Sequence, residues 1–330
     1  MAFHLPRRTL VAVAASLCAT LLTPGFAQQA SSYPEKPVKL AVGFAPGTGP
    51  DVLARTLGIK LSENLKQSIV VENRTGAGGQ IAAGAIAKAA PDGYNVLIAD
   101  VSAISIAPAA FSKLPYDPIK DLTPVAEVAR TYFILVVPPN APVQSVADFV
   151  RVAKAQNGKI NFATFGAGTP GHFGADMLGE MAGFTVETIH FRDTGSAVQA
   201  IVAGEVQGAL VSTALGVAQI KAGKMRGLAT TAPKRSPLLP ELPTFAEAGY
   251  PKADFSAWFT LFVPTGTAPK IVSTLNAQAV KAVQSPEIRK RLEEAGFTVS
   301  GTTQEDARRL VDTERVRWAQ VVKSSGFKAD

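Results

Sequence analysis

Cysteine and histidine are scarce in this chain, and their scarcity removes several kinds of chemistry. The one cysteine, Cys18, lies in an N-terminal apolar segment, and only His172 and His190 follow that segment. A mature chain without Cys18 has no thiol for a disulfide, a zinc–thiolate site or a cysteine nucleophile. No G-x-S-x-G elbow is present, and a serine triad would have few candidate bases. Catalysis by these routes is therefore not indicated.

Long hydrophobic runs are also missing, apart from a short run near the N-terminus. Arg7 and Arg8 precede the apolar stretch 10–22, and residues 25–27 offer the small side chains that a signal peptidase prefers. The run is too short to span a bilayer comfortably, which makes a retained anchor the weaker alternative. The paired arginines match a twin-arginine export signal only loosely. We expect general secretion, with residues 1–27 removed as a signal peptide.

The charge is mildly basic and scattered, with 33 Lys and Arg against 26 Asp and Glu. The cluster Arg289 to Arg291 is followed by Glu293 and Glu294, which is typical of a solvated helix face. Because no basic stripe is interleaved with aromatic residues, nucleic-acid binding is not indicated. A weak positive field favours acidic solutes slightly.

Short apolar runs alternate with amphipathic segments along most of the chain, which has 47% hydrophobic residues. This alternation predicts an α/β fold, with a largely parallel sheet that has helices on both faces. The predicted strands are 38–43, 68–73, 95–99, 131–137, 159–164, 187–191, 208–211 and 255–264. The predicted helices are 51–64, 79–89, 146–155, 171–182 and 197–203.

Two long apolar strands, 131–138 and 255–264, bracket the middle of the chain and both end in proline. Such a pair predicts a two-strand hinge between two domains. The first domain would comprise residues 31–135 with 256–330, and the second residues 136–255. A single continuous sheet is the alternative. Trp258 would be a core or hinge aromatic, and Trp318 likewise.

Two Gly-rich turns each stand between a predicted strand and a predicted helix. The first is in LAVGFAPGTGPDVL, residues 40–53, and the second is in NFATFGAGTPGHFGADMLG, residues 161–179. This arrangement directs backbone N–H groups and the positive end of a helix dipole at an anion. One small acidic ligand held between the two turns is the simplest use of both.

The second turn also suggests an enzymatic alternative. Residues 166–171 match G-x-G-x-x-G after a strand and before a helix, as in an NAD-dependent dehydrogenase. The motif lies in the middle of the chain, contains a proline and belongs to a protein expected to be exported. The motif alone is a weak signal, and no acidic residue clearly ends the next strand to bind a ribose.

Longer segments resemble the substrate-binding receptors of tripartite tricarboxylate transporters, also called Bug receptors. With the two turns, the resemblance covers nearly all of the chain after the leader, in the same order. It implies a two-domain type II periplasmic binding protein, with a sheet flanked by helices in each lobe and a two-strand hinge. The segments are 71–83, 91–99, 114–128, 239–251 and 314–327.

The resemblance also implies what this protein does and with what it works. It implies a monomeric periplasmic receptor, without catalysis, cofactor or metal, that closes on a small carboxylate solute. Its partners would be integral membrane transporter subunits, or a sensor kinase if the receptor serves no transporter. The solute itself is left open, because backbone amides recognise any carboxylate in the same way.

In receptors of this family, backbone amides, hydroxyls and ordered water of the two turns hold the ligand carboxylate. Glycine allows close backbone approach and positive φ, and threonine adds a hydroxyl donor. Phe44 and Phe165 could pack on the apolar body of the solute, while Asp51 could instead be an N-cap or a loop brace. The matching positions here are Phe44, Ala45, Gly47, Thr48, Gly49, Asp51, Thr164, Phe165, Gly166, Ala167, Gly168 and Thr169.

Further candidates lie after other strands of the predicted sheet. The loop after strand 95–99 should open on the same edge of the sheet. His172 is expected to be a hydrogen-bonding residue near the cleft; with Asp176 four residues later it supplies only two metal ligands, which are seldom a site. The candidates after strands 95–99 and 208–211 are Asp100, Ser102, Ala103, Ser212 and Thr213.

The chain departs from the family pattern at residues 190–195, HFRDTG. The family usually has histidine, an aliphatic residue, proline, tyrosine, a basic residue and glycine there. Our hypothesis is that Arg192 binds a second carboxylate of the solute, or that Asp193 binds an amine. The alternative is a solvent-exposed pair that contributes little.

Overall fold

A computed structural model describes residues 33–155, 158–191 and 193–328. The chain divides into a unit of residues 1–35, of which only 33–35 are described, and a unit of residues 36–330. The fold and the site described below belong to the second unit. The predicted signal peptide, residues 1–27, and Arg192 lie outside the described residues.

Strands and helices alternate through the second unit, which confirms the predicted α/β class. The strands are β1 (Val38–Val42), β2 (Ile69–Asn73), β3 (Asn95–Asp100), β4 (Leu122–Val137), β5 (Lys159–Thr164), β6 (Thr185–His190), β7 (Gly208–Ser212), β8 (Arg226–Thr230), β9 (Ser256–Pro264) and β10 (Thr298–Val299). The helices are α1 (Gly49–Leu65), α2 (Gln80–Ala87), α3 (Ala107–Ala110), α4 (Val146–Ala155), α5 (Pro170–Ala182), α6 (Thr194–Ala203), α7 (Thr213–Lys221), α8 (Pro269–Gln284), α9 (Pro286–Glu294) and α10 (Gln304–Ser325).

The strand order is β2-β1-β3-β9-β4-β7-β5-β6, and β8 and β10 also pair with β4. β1 is parallel to β2 and β3, and β5 is parallel to β6 and β7, while β9 runs antiparallel to β3 and β4. We call β1, β2, β3, β9 and β10 the first strand set, and β5, β6, β7 and β8 the second strand set.

β4 belongs to both strand sets. Its residues 122–132 pair with β9, and its residues 133–137 pair with β7 and β8. The partner of β4 therefore changes after Tyr132, whereas the sequence predicts a domain boundary after residue 135. The strand also begins at Leu122, nine positions before the predicted start at Thr131. Register shifts at Pro124/Ala126 and Glu127/Ala129 allow a proline and a charged residue within it.

The core fixes the ends of the strands from which the site is built. In the second strand set, the buried cluster includes Ile134, Ala163, Ala209 and Val211. Helix α10 packs against both β4 and α5, and its Trp318 is buried, as is Trp258 of β9, as predicted. A buried side chain of this size stabilises the fold by roughly 2–3 kcal/mol.

A close backbone contact fixes the point at which β1 enters the first turn. A Cβ added to Gly43 would lie 2.4 Å from the Gly79 Cα, so the two main chains leave no room for a side chain. Gly43→Ala is therefore expected to lower the free energy of unfolding by about 2 kcal/mol, measured by urea denaturation.

Gly58→Ala in α1 is the matched control. Its added Cβ would have its nearest neighbour at 3.5 Å, an ordinary contact, and it would replace a glycine inside a helix. We expect a gain of about 0.5–1 kcal/mol. Equal stability of Gly43→Ala and the natural chain would show that the backbone at Gly79 moves freely aside.

Candidate functional site

A cavity of about 880 Å³ opens at the carboxyl ends of β1, β3, β5 and β7. This is the edge at which open α/β sheets bind ligands. Both strand sets contribute to its wall, and the predicted site residues that line it are Phe44, Gly47, Thr48, Gly49, Asp100, Ser102, Phe165, Thr169 and Ser212. A smaller cavity of about 520 Å³, among residues 144–147 and 238–243, contains none of them.

Hydrogen bonds among its own residues hold the first turn, between β1 and α1. Thr48 occupies the N-cap position of α1, but its Oγ1 donates to the Ala45 carbonyl at 2.7 Å and does not cap the helix. The Gly47 N–H donates to Asp51 Oδ2 at 2.9 Å. Gly47 has φ +80°, a conformation that glycine adopts at little cost.

The second turn, between β5 and α5, repeats this arrangement. Thr169 is the N-cap residue of α5, and its Oγ1 donates to the Gly166 carbonyl at 2.9 Å. The Gly168 N–H donates to His172 Nδ1 at 3.2 Å, and Gly168 has φ +72°. In both turns a glycine amide therefore donates to the side chain four residues later.

The two helices that follow the turns begin at the cavity. Neither N-cap side chain accepts a bond from its own helix, and Pro50 and Pro170 stand in the first positions of α1 and α5. The first amides of a helix have no partner within it, and the helix dipole makes that end positive. Two helix N-termini on one cavity can therefore hold an anion without a charged side chain.

Asp51 braces the first turn from behind. Its side chain is 4% exposed, accepts from Gly47 and from Asn73 Nδ2 at 2.8 Å, and pairs with Arg55 at 3.0 Å. Asn73 also donates to the Phe44 carbonyl at 2.9 Å. Of the two structural alternatives predicted for Asp51, N-cap or loop brace, these bonds describe the loop brace, since Thr48 holds the N-cap position. Asp51 is not among the residues that line the cavity.

Hydrogen bonds decide the protonation of Asp51. Burial alone would raise the pKa of this carboxyl, but bonds from Arg55, Gly47 and Asn73 outweigh it and lower the pKa below its ordinary value. The first turn is therefore held by a carboxylate that stays ionised at neutral pH.

His172 has the corresponding place behind the second turn and a different acid–base character. Its side chain is 5% exposed, and burial, together with His190, lowers its pKa to about 4. Asp176 Oδ2 lies 3.7 Å from Nε2, and burial raises the pKa of that carboxyl to about 6. Within the described part of the chain, no three metal-ligating side chains come together.

The segment after β3 is helical, although the sequence predicts a loop. A π-helical turn, Ser102–Ile106, continues into α3. Asp100 accepts from the Ser102 N–H at 3.2 Å and from Ser102 Oγ at 2.9 Å, and burial raises its pKa to about 6. The Ala103 carbonyl accepts from the Tyr116 hydroxyl at 2.7 Å. Asp100 and Ser102 line the cavity, whereas Ala103 does not.

Phenylalanine rings form much of the apolar wall. Phe44 and Phe165 belong to the predicted set, and the sequence missed Thr131, Phe133 and Phe259 on β4 and β9, as well as Phe297 after α9. The signal in the sequence is the alternation along a strand, because Thr131 and Phe133 share one face of β4. To find these residues from sequence, one must know which face of β4 and of β9 meets the cavity.

Several other predicted residues are not among those that line the cavity. Thr164 Oγ1 is 2.6 Å from His190 Nδ1. Asp193 is the N-cap of α6 and accepts from Ser196 N at 2.9 Å and from Ser196 Oγ at 2.6 Å. The remaining predicted residues that are not among the cavity lining are Ala45, Gly166, Ala167, Gly168 and Thr213.

Sequence comparison gives consistent matches over nearly the full chain. Residues 53–327 match the family described as "Tripartite tricarboxylate transporter family receptor". Protein BugT of Bordetella pertussis is 34% identical over 300 residues, which are 91% of this chain and 92% of that protein. A UPF0065 protein from the tcbD-tcbE intergenic region of Pseudomonas sp. strain P51 is 32% identical and covers 96% of this chain and 93% of its own.

Solved structures agree with the sequence matches. The R. palustris protein Rpa4515 with adipate superposes with a TM-score of 0.84 at 33% identity, covering 90% of this chain and 99% of its own. MatC of Rhodopseudomonas palustris with bound malate gives a TM-score of 0.79 at 32% identity and covers 88% of this chain and 100% of its own. The periplasmic binding protein BugD gives a TM-score of 0.81 at 29% identity and covers 90% of this chain and 100% of its own. The strand arrangement is consistent with the two-domain type II fold of these proteins.

Proposed function

Because this chain belongs to the receptor family of the tripartite tricarboxylate transporters, we propose that it delivers a small carboxylated solute to the integral membrane subunits of such a transporter. Members of this family are periplasmic solute-binding receptors rather than enzymes, so the dehydrogenase alternative for residues 166–171 has no support. We also propose that residues 1–27 are a signal peptide that directs export, and that the receptor is a monomer.

The observation that carries the proposal is the pair of matching turns on one cavity. The turn with Gly47 and Thr48 follows β1 of the first strand set, and the turn with Gly168 and Thr169 follows β5 of the second. A carboxylate that accepts hydrogen bonds from both turns is bound more tightly when the two sets approach. Closure about β4 and β9 would therefore follow from binding, with residues 31–135 and 256–330 as one domain and 136–255 as the other.

The body of the solute would pack on the phenylalanine rings that line the cavity. Relatives with adipate and with malate supply the first probes. The bonds from Ser196 already occupy the Asp193 carboxylate, so an amine would have to displace them or share it. Contact of Arg192 with a second carboxylate remains our proposal, and dicarboxylates are its natural test.

A thermal-shift screen of residues 28–330, refolded to remove bound ligand, tests the function. The panel contains adipate, malate, aromatic monocarboxylates, amino acids and NAD. A solute at a hundredfold over its Kd should add about 2.7 kcal/mol to the free energy of unfolding and raise the melting temperature accordingly. We expect the stabilising compounds to be carboxylates.

Variants sharpen this screen. If Arg192→Ala weakens the binding of a dicarboxylate but not of a monocarboxylate, the result would support contact between Arg192 and the second carboxylate. Stabilisation by NAD, with silence from every carboxylate, would contradict the receptor proposal. Stabilisation by amines without a carboxyl group would contradict the role of the two turns.

A further inference from the structure

The tautomer of His172 follows from its bond to the second turn. The Gly168 N–H donates to His172 Nδ1 at 3.2 Å. An imidazole nitrogen accepts a hydrogen bond only when it carries no proton. The structure therefore requires a neutral ring with its proton on Nε2, which faces Asp176 Oδ2 at 3.7 Å.

The surroundings of the ring favour this neutral form. The His190 ring of β6 lies 4.8 Å away, and its own Nδ1 is 2.6 Å from Thr164 Oγ1. The Phe327 ring, beyond α10, also lies at 4.8 Å. Asp176 on the same helix and His190 on β6 are thus the titratable groups in contact with His172, and burial disfavours a charge on either histidine.

We propose that His172 is a positioning residue for solute binding, because its unprotonated Nδ1 fixes the Gly168 amide and with it the second turn. Gly168 has positive φ and is followed directly by Thr169, which lines the cavity. Release of the Gly168 amide would let the turn leave the conformation that faces the solute. The inference rests on the proposed function in that the turn must bind a carboxylate.

Protonation of His172 would break this bond. An imidazolium carries a proton on both nitrogens, so Nδ1 would then face the Gly168 N–H as a second donor. Asp51, which has the same position relative to Gly47, remains an acceptor whenever it is ionised. The second turn alone therefore depends on a histidine being neutral.

A measurement without ligand tests the tautomer. NMR spectra of the full mature chain, labelled with ¹⁵N at histidine, distinguish a protonated from an unprotonated ring nitrogen. At neutral pH we expect His172 to have a bare Nδ1 and a protonated Nε2. A protonated Nδ1 would overturn the proposal, whatever the protein binds.

Two substitutions test the effect on binding. The amide oxygen in His172→Asn can take the place of Nδ1, whereas the longer side chain of His172→Gln places its amide near Nε2. With adipate as the probe in calorimetry, we expect Asn to bind within about threefold of the natural chain and Gln about tenfold more weakly, as for one lost hydrogen bond. Equal losses in both variants, or none in Gln, would overturn the proposal.

Hydrogen exchange separates this inference from the proposed function. The Gly168 amide should exchange slowly in the natural chain and in His172→Asn, and faster in His172→Gln, with or without solute. If adipate does not bind any of the three proteins, this difference still decides whether His172 holds the turn. Equal exchange of the Gly168 amide in all three would contradict the inference.

Discussion

Asp51→Ala is expected to lower the free energy of unfolding by about 3 kcal/mol and to weaken carboxylate binding at the first turn. The substitution removes the acceptor of the Gly47 N–H and one of the two acceptors of Asn73 Nδ2. It also removes one of two partners of Arg55, which still donates to Asn73 Oδ1. Each of the two partly buried bonds from Gly47 and Asn73 to the carboxylate contributes about 1.5 kcal/mol, the low end of the range for bonds to a charged group. The Arg55 side chain is 51% exposed, so its share is small because solvent screens it.

Two control variants show whether the loss comes from the brace. Asp51→Asn keeps one acceptor oxygen, so it should lose less stability than Asp51→Ala, measured by urea denaturation. Glu187→Ala removes an exposed carboxylate paired with Lys159 at 3.1 Å and should change stability by less than about 1 kcal/mol. If Asp51→Ala behaves like Glu187→Ala, the network around Gly47 does not support the turn.

The strand–turn–helix pattern was the part of the site that sequence could predict. Glycines with positive φ at Gly47 and Gly168 lie where the two Gly-rich turns were expected. The spacing from Gly47 to Asp51 equals that from Gly168 to His172, so the matching braces were visible in the sequence. The role of Asp51 and His172 could not be predicted, because a spacing of four residues does not reveal that the glycine amide donates to the later side chain.

Other parts depend on tertiary packing and could not be predicted. The segment after Asp100 is helical because it packs against α10, which lies some two hundred residues later in the chain. β4 extends back to Leu122 because bulges let it continue along β9 in spite of Pro124. Phe133 and Phe259 face the cavity because two distant strands are antiparallel neighbours, and local periodicity shows only that each alternates.

The acid–base difference between the braces gives the protein an uneven response to pH. Acidification leaves the Asp51 carboxylate ionised down to a low pH, because its pKa lies below the ordinary value. His172 instead has its pKa lowered to about 4, against 6.5 for an exposed histidine. Between these two values the unfolded chain binds a proton at His172 that the folded chain does not.

The contribution of His172 to stability should therefore fall as the pH falls from about 6.5 towards 4. Because the unfolded state binds more protons in this range, the free energy of unfolding decreases on acidification, by up to about 3 kcal/mol from this residue. Asp100 and Asp176 act in the opposite direction, since burial raises both pKa values to about 6 and the folded state then binds more protons. The pH dependence of the total free energy of unfolding therefore hides the contribution of His172.

The variant His172→Asn isolates the contribution of His172 protonation to stability, since it keeps an acceptor for Gly168 but cannot be protonated. We expect the variant to become more stable relative to the natural chain by about 2.5 kcal/mol between about pH 7 and about pH 4.5, measured by urea denaturation at both. His190→Asn should show a smaller change, because burial lowers the pKa of His190 less strongly. A constant difference between His172→Asn and the natural chain would mean that His172 is not held neutral in the folded protein, and that the second turn is held in another way.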